Sequence, residues 1–445
     1  MSIDGKMNRR RLLKRAAGVA MGGIAFPYII PARVLGADGG VAPSNRITMA
    51  SIGVGWQGPA NMEQFLQLDD CRVVAICDID KNHLREAVNT VNDHYGNRDC
   101  AAYADYREVL ARKDIDAVVI SVPDHWHGII AVAAAEAGKD IYGEKPLSHD
   151  FRQGRAICDA VRRYGRIWQT GSWQRSEERF WFACNLVRSG RIGKVSHVWV
   201  GLPRGHIDFE GTKGQDKFGP PPAELDYDTW LGPAPYSPYC PMRIHKNWRW
   251  NLDYGGGQLM DWVGHHVDVA HWALGLDYAG PVEVEGHGDY PPTGLWNSAT
   301  EFEVTTKYAG GLTMLISSRI SYPLGTEWHE VCGTKWFGEN GWVCVTRGGI
   351  DAEPKSLLRE KFGPNEQLLF ESPGHWRNFL DCVKSRKLTI SPAEIAHRSA
   401  TVGHLGQIAM LLGRKIRFNP ETEDIIDDPT ATRLLGTGMR SPWHL

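Results

Sequence analysis

Between Asn45 and Leu147 the chain alternates short apolar runs with helical ones, and this alternation restricts the fold more than any other feature. "RITMASIGVG" reads as a strand, "GPANMEQFLQL" as a helix, "CRVVAICDID" as a strand and "KNHLREAVNTVNDHYG" as a helix. "IDAVVISVP" and "DIYGEKPL" are further strands, separated by the Ala-rich "IIAVAAAEAG". Strands that are apolar on both faces, joined through helices, make a parallel sheet covered on both sides. At the first strand-to-helix turn stands G-V-G-W-Q-G: Gly53, Gly55 and Gly58, with Trp56 and Gln57 between the last two. Glycines there allow a tight turn and close approach of a pyrophosphate, and the helix N-terminus supplies donors and positive potential. The second strand ends at Asp78, twenty residues past Gly58, where a carboxylate accepts both ribose hydroxyls and repels a 2′-phosphate. The pattern implies a bound dinucleotide, NAD rather than NADP.

Two more stretches fall where strands of this sheet would end, the edge at which such sheets bind ligands. They are P-D-H-W-H, Pro123 to His127, and G-E-K-P, Gly143 to Pro146. Pro123, His127, Glu144 and Lys145 are therefore expected against the cofactor, the last two at its nicotinamide end. From Lys194 onward strands dominate: "KVSHVWVGL", "PVEVEGHG", "EFEVTTKYAGGLTMLISSRIS" and "KWFGENGWVCV". Ala309-Gly310-Gly311 and Asn340-Gly341 interrupt alternating runs, as hairpin turns do. "SPAEIAHRSATVGHLGQIAMLLGRK" reads as a helix capped by Ser391, with Pro392 first and Glu394 closing a capping box; its His397 and His404 read as structural. The expected fold is an α/β Rossmann domain (45–170), then an α+β domain (171–418) with a large open-faced, mostly antiparallel sheet, then a C-terminal tail (419–445).

Composition excludes several classes. A net charge near −2 gives no support to a nucleic-acid partner. The nine cysteines are scattered singly with no C-x-x-C, against a disulfide framework or zinc ribbon. The first 37 residues differ from the rest: Arg9-Arg10-Arg11-Leu12-Leu13-Lys14 precedes a weakly apolar, Gly-rich stretch too short to span a bilayer, with no stable membrane anchor. This matches a twin-arginine export signal, R-R-x-[FL]-L-K, which implies recognition by the twin-arginine translocation machinery, folding in the reducing cytoplasm and delivery to the periplasm. Eleven of the 17 tryptophans lie from Trp230 onward, and indole faces suit sugar rings as well as cores. Arg243, His245, Lys246, Trp248, Arg249 and Trp250 gather just before the glycine run Gly255–Gly257.

Taken together, GxGxxG at 53–58, Asp78, P-D-x-x-H at 123–127, E-K-P at 144–146 and GGG-x-L-x-D-x-x-x-H-x-x-D-x-x-x-W at 255–272 resemble the Gfo/Idh/MocA family of oxidoreductases over essentially the whole mature chain. The resemblance implies a Rossmann domain followed by a domain whose open sheet often serves oligomerisation, here a homo-oligomer. It implies Lys145 as an active-site lysine, often preceding a cis-proline, and Asp261 with His265 as the acid/base pair. Departures are Asp124, where the family often has Asn; the doubled histidine at 266; "SWQRSEERFW" after the sixth strand, bringing Trp173 and Arg175; and a long insert from Pro203 to Leu252.

On a helix, Asp261, His265, Asp268 and Trp272 share one face, and His266 points roughly 140° away. A metal would want further ligands on that face, and Asp268 lies two turns from Asp261, so no metal is expected and a proton relay is the favoured reading over a metal or plain packing. His265 takes a hydroxyl proton, Asp261 fixes its imidazole, and Lys145 hydrogen-bonds the reacting oxygen or serves as the base itself. Trp173, Arg175, Trp248 and Arg249 complete the expected carbohydrate pocket, with Asp268 in support. Hydride transfer at a secondary carbinol follows. In a periplasm without free NAD, the cofactor must be tightly held and regenerated in place, either by a second substrate or by re-reduction after a glycosidic substituent has been eliminated from a transient keto-sugar.

Overall fold

The structure is a computed structural model that describes residues 41–322, 324 and 332–445. The leader expected at 1–37 lies outside the described residues. The described part of the unit that ends at Arg46 is one 3-10 turn, Pro43–Asn45. The remainder, Ile47–Leu445, is a single compact unit.

Its first half is a six-stranded parallel sheet: β1 (Ile47–Ile52), β2 (Cys71–Cys77), β3 (Ala101–Tyr103), β4 (Ala117–Ile120), β5 (Asp140–Gly143) and β6 (Trp168–Thr170). The spatial order is β3-β2-β1-β4-β5-β6, with every pairing parallel. The strand order reverses between β1 and β4, and the crevice there is the expected place for a ligand. Helices α1 (Gln57–Leu66), α2 (Lys81–Tyr95), α3 (Tyr106–Ala111), α4 (Asp124–Glu136) and α5 (Phe151–Arg163) make the connections. Their starts are written locally: Asp80 caps α2 by accepting from the N–H groups of Asn82 and His83, and Asp150 caps α5 through Gln153 N–H. β4 is buried at all four positions, the signature of a strand covered on both faces.

After α6 (Glu178–Arg188) the second half builds a nine-stranded sheet. Its members are β7 (Val195–Gly201), β8 (Glu283–Asp289), β9 (Glu301–Lys307), β10 (Thr313–Ser317), β11 (Gly333–Gly338), β12 (Gly341–Thr346), β13 (Ile350–Glu353), β14 (Ile416–Asn419) and β15 (Asp424–Ile425). The order is β13-β12-β11-β7-β10-β9-β8-β14-β15, antiparallel throughout except for β7 beside β10. Both glycine interruptions are hairpin turns, between β9 and β10 and between β11 and β12. One face carries Phe302, Val304, Met314, Ile316, Trp336 and Val343 into the core, each worth about 1.5–3 kcal/mol when fully buried.

The insert holds α7 (Tyr227–Leu231). Helix α8 (Gly257–Leu274) and, beyond α9 (His375–Ser385), helix α10 (Ala393–Leu412) carry apolar residues into the same core as the second sheet's buried face. Helix α10 starts later than expected. Pro392 is its N-cap with no side-chain cap bond, and Ser391 Oγ is buried without a partner among the described residues. His397 and His404 are buried in it. The tail continues through α11 (Pro429–Arg433) and returns along the body: Thr437 bonds Asp150, Arg440 pairs with Asp228, and the Trp443 ring packs edge-on to Trp126. Among the described residues no helix is long and apolar enough to cross a membrane.

Candidate active site

The turn after β1 is shaped by contact. Gly53 has φ +83°, and a Cβ there would lie 2.6 Å from the Ser121 carbonyl oxygen; one on Gly58 would lie 2.0 Å from Gly53 O. No side chain fits at either position, so the backbone comes close to the crevice over β1 and β4. Asp78, at the end of β2, accepts from Val54 N–H at 2.7 Å and from Asp80 N–H at 2.9 Å. Burial raises its pKa, opposed by those two donors. Gly53, Gly55, Trp56, Gln57, Asp78, Pro123, Glu144 and Lys145 all line one cavity of about 740 Å³; Gly58 does not line it but packs directly against Gly53, which does.

The far end of the same cavity is lined by Trp173, Trp248, Arg249, Asp261, Trp262, His265 and Arg347. Helix α8 approaches the end of β5 closely because residue 264 is glycine: a Cβ there would sit 3.0 Å from Lys145 Cβ. Lys145 Nζ donates to the Asp261 carboxylate at 2.9 Å and to its main-chain oxygen at 2.7 Å, and the Lys145–Pro146 peptide is cis. Arg249 Nε donates to the same Asp261 oxygen at 3.4 Å. Its guanidinium lies 4.6 Å from the Trp56 ring centre and 4.5 Å from that of Trp248. Burial would raise the Asp261 carboxyl, but Lys145 and Arg249 outweigh it and hold it below the ordinary range.

These contacts correct the expected pairing of Asp261 with His265. Asp261 is spent on two cations, and His265 Nδ1 is buried with no partner among the described residues. Burial, then Arg347 and Lys145, hold the imidazole well below its ordinary pKa, so it is neutral. Glu144 accepts from Asn61 Nδ2 at 2.8 Å, and burial raises its pKa. At Asp124, burial pushes the carboxyl well above the usual range against the pull of Arg249.

Two expected ligand-binding residues lie elsewhere. Arg175 is 1% exposed and gives its guanidinium to Asp268, at 2.6 and 3.0 Å, and to Asp277 at 2.7 Å. It ties α8 to the segment after β6 and does not reach the pocket. The His127 ring is closed between two carbonyls, Nδ1 at 2.7 Å from Pro146 O and Nε2 at 2.9 Å from Val122 O. It braces the two strand ends without lining the cavity. His266 is fully buried, its ring 11° from parallel with Trp262 at 6.1 Å between centres.

Sequence reasoning missed Arg347, Trp262 and the way the insert walls the cofactor end. Trp262 had a signal in standing next to Asp261, whereas Arg347 has none. The insert docks on the Rossmann half through Lys81 N–H to Glu224 O and Asp226 N–H to Ile79 O, and Glu210, Leu225, Trp230 and His245 face the cavity. Asp80, His83 and His245 bring ligand atoms within 4.8 Å of one another, but Asp80 Oδ1 is occupied as the α2 cap.

The glycine cradle, the acid at the end of β2 and the walled crevice fit a dinucleotide. Comparison with known proteins agrees. Residues 47–172 match the model of an oxidoreductase family with an NAD-binding Rossmann fold, GFO_IDH_MocA. Residues 180–321 and 365–445 match that family's C-terminal α/β domain. A glycosyl hydrolase family 109 protein of Shewanella pealeana is 30% identical over 210 residues, 43% of this chain and 45% of the relative. An alpha-N-acetylgalactosaminidase of Shewanella oneidensis is 29% identical over 212 residues with the same coverage. The chain thus spans less than half the length of these curated relatives. Among solved structures, aldose–aldose oxidoreductase of Caulobacter crescentus superposes with a TM-score of 0.61 at 18% identity, over 84% of this chain and 100% of that one; this likeness is one of fold.

Proposed function

The chain belongs to the Gfo/Idh/MocA oxidoreductase family, and from that premise we propose that it is an exported NAD(P)-dependent oxidoreductase, NAD being favoured, which acts on a secondary carbinol of a sugar and keeps its cofactor bound. The observation that carries the reading is one cavity with the Gly53–Gly58 cradle and Asp78 at one end and Lys145, Asp261 and His265 at the other.

Gly53, Gly55, Trp56, Gln57 and Gly58 would hold the pyrophosphate region and Asp78 the ribose. When bound, the nicotinamide supplies the hydride acceptor. Lys145, anchored on Asp261, donates to the reacting oxygen and stabilises the charge developing there. Neutral His265 receives the hydroxyl proton. The hydroxyl grows strongly acidic as its carbon loses hydride, so a weakly basic imidazole suffices. Trp173, Trp248 and Arg249 frame the sugar with flat faces and donors.

Retention of the cofactor is supported by the insert, which contributes Glu210, Leu225, Trp230 and His245 to the cavity wall, and by Trp443, which lines it from the tail. Export rests on the Arg9–Lys14 motif. Self-association through the outer face of the large sheet is supported by Trp199, 40% exposed, beside Phe337 with ring centres 4.8 Å apart.

A second reading has its own support in the two Shewanella relatives: the same oxidation acidifies a neighbouring C–H, a glycosidic substituent is eliminated, and the keto-sugar is re-reduced. Incubating the protein as purified with a panel of sugars and glycosides separates the two. Oxidised sugar supports the first reading and released aglycone with no net redox change supports the second. If neither forms with any compound, both fail.

A further inference from the structure

The cations of the cavity are not alike. Lys145 and Arg249 share Asp261, Lys246 lies 3.2 Å from Glu210, and Arg107 lies 2.7 Å from Asp105. Arg347, at the end of β12, makes no ion pair among the described residues. Its Nε and Nη2 donate to the neutral Gln174 Oε1, at 3.2 and 3.1 Å. Its guanidinium carbon lies over two indole rings, 4.5 Å from the ring centre of Trp173 and 4.7 Å from that of Trp262. Glu177 and Asp261 act on it only from beyond ion-pair distance, and Cys332 is no counter-ion because burial pushes its thiol up to about 12. With its Nε side taken by Gln174, the Nη1–Nη2 edge has no further hydrogen-bond partner among the described residues, and the side chain lines the cavity and acts electrostatically on His265.

A largely buried guanidinium with no ion-pair partner among the described residues is costly, and a neutral sugar leaves that cost in place. A carboxylate removes it, accepting two parallel hydrogen bonds along the free edge. We propose that Arg347 is a specificity-determining residue that binds a carboxylate of the substrate, so that the sugar taken by this site is an acidic one, a uronate or related sugar acid. This rests on the oxidoreductase reading and narrows it.

The test compares matched pairs, D-glucose with D-glucuronate and D-galactose with D-galacturonate, on the holoprotein. Binding is followed by quenching of indole fluorescence and turnover by reduction of the bound cofactor. The acid of at least one pair should exceed its neutral partner at least about tenfold in kcat/KM, the worth of a charge-assisted hydrogen bond. Arg347→Met should erase that preference by raising KM for the acid, and Arg347→Lys should keep part of it. The wild-type comparison stands even if a variant fails to fold. Turnover of neutral sugars at equal or higher efficiency overturns the acidic assignment and leaves the oxidoreductase reading intact, whereas absence of binding and turnover for all four compounds counts against both. Preference for a hexose 6-sulfate over the uronate also overturns the carboxylate assignment.

Discussion

Replacing Arg175 with Met decides whether that residue holds the fold or the substrate. Its guanidinium and the Asp268 carboxylate are each 1% exposed and joined by two hydrogen bonds, with Asp277 as a third partner. Met keeps much of the packing on Trp272, whose ring centre lies 5.4 Å from Cζ, but among the described residues leaves Asp268 with Ser399 Oγ, at 3.3 Å, as its side-chain donor. Removing one partner of a buried pair costs about 3–5 kcal/mol. Unfolding entropy of about 2.1 cal/mol/K per residue, over roughly 400 residues, gives about 0.8 kcal/mol per degree, so Tm falls by about 4–6 °C. Differential scanning calorimetry on the holoprotein reads this. Arg175→Met/Asp268→Leu should recover part of the loss, because an apolar replacement no longer buries a lone charge. KM of the folded single variant should stay near wild type. Unchanged Tm with KM raised tenfold would refute the structural role and return Arg175 to the pocket.

Gly58→Val should abolish cofactor retention, because even its Cβ would sit 2.0 Å from Gly53 O; dinucleotide released on denaturing the purified variant checks this. Because burial, Arg347 and Lys145 depress the pKa of His265, its neutral form persists below the ordinary 6.5. The acid limb of kcat/KM, which falls as His265 takes up a proton, should therefore lie below pH 6.5 and move upward in Arg347→Met; a wild-type limb above pH 6.5 contradicts the assignment. Trp199→Glu should shift sedimentation toward the monomer if the outer sheet face is an interface, with Tm little changed for so exposed a position.

The cofactor half was legible because its signals are local. A glycine turn fixed by contact with the next strand, an acid at a strand end and caps such as Asp80 and Asp150 are written within a few residues of where they act. The face of α8 was legible by helical phase. What the phase could not give was direction across the gap: Asp261 turns to Lys145 and Arg249, which come from other elements, and away from His265 one turn along its own helix. Arg175 read as a pocket residue because its partners Asp268 and Asp277 lie about a hundred positions away. Arg347 sits after a strand that reads as ordinary sheet, and its role depends on Trp173 and Trp262, brought to it by two unrelated segments. Long-range pairing of charged side chains leaves no periodic trace.

Gly53–Gly58 and Asp78 would hold a dinucleotide facing Lys145, Asp261 and His265, and the proposed reaction is hydride exchange with a sugar. The most direct measurement is the absorbance of the reduced nicotinamide in the protein as purified, with no cofactor added, before and after mixing with the sugar panel under single-turnover conditions. The protein should carry bound dinucleotide, show a rise of the reduced band stoichiometric with protein for at least one sugar, and lose that rise in Lys145→Ala and His265→Ala with the dinucleotide still bound. Protein that carries no dinucleotide, or whose bound dinucleotide changes redox state equally well without those two side chains, would contradict it.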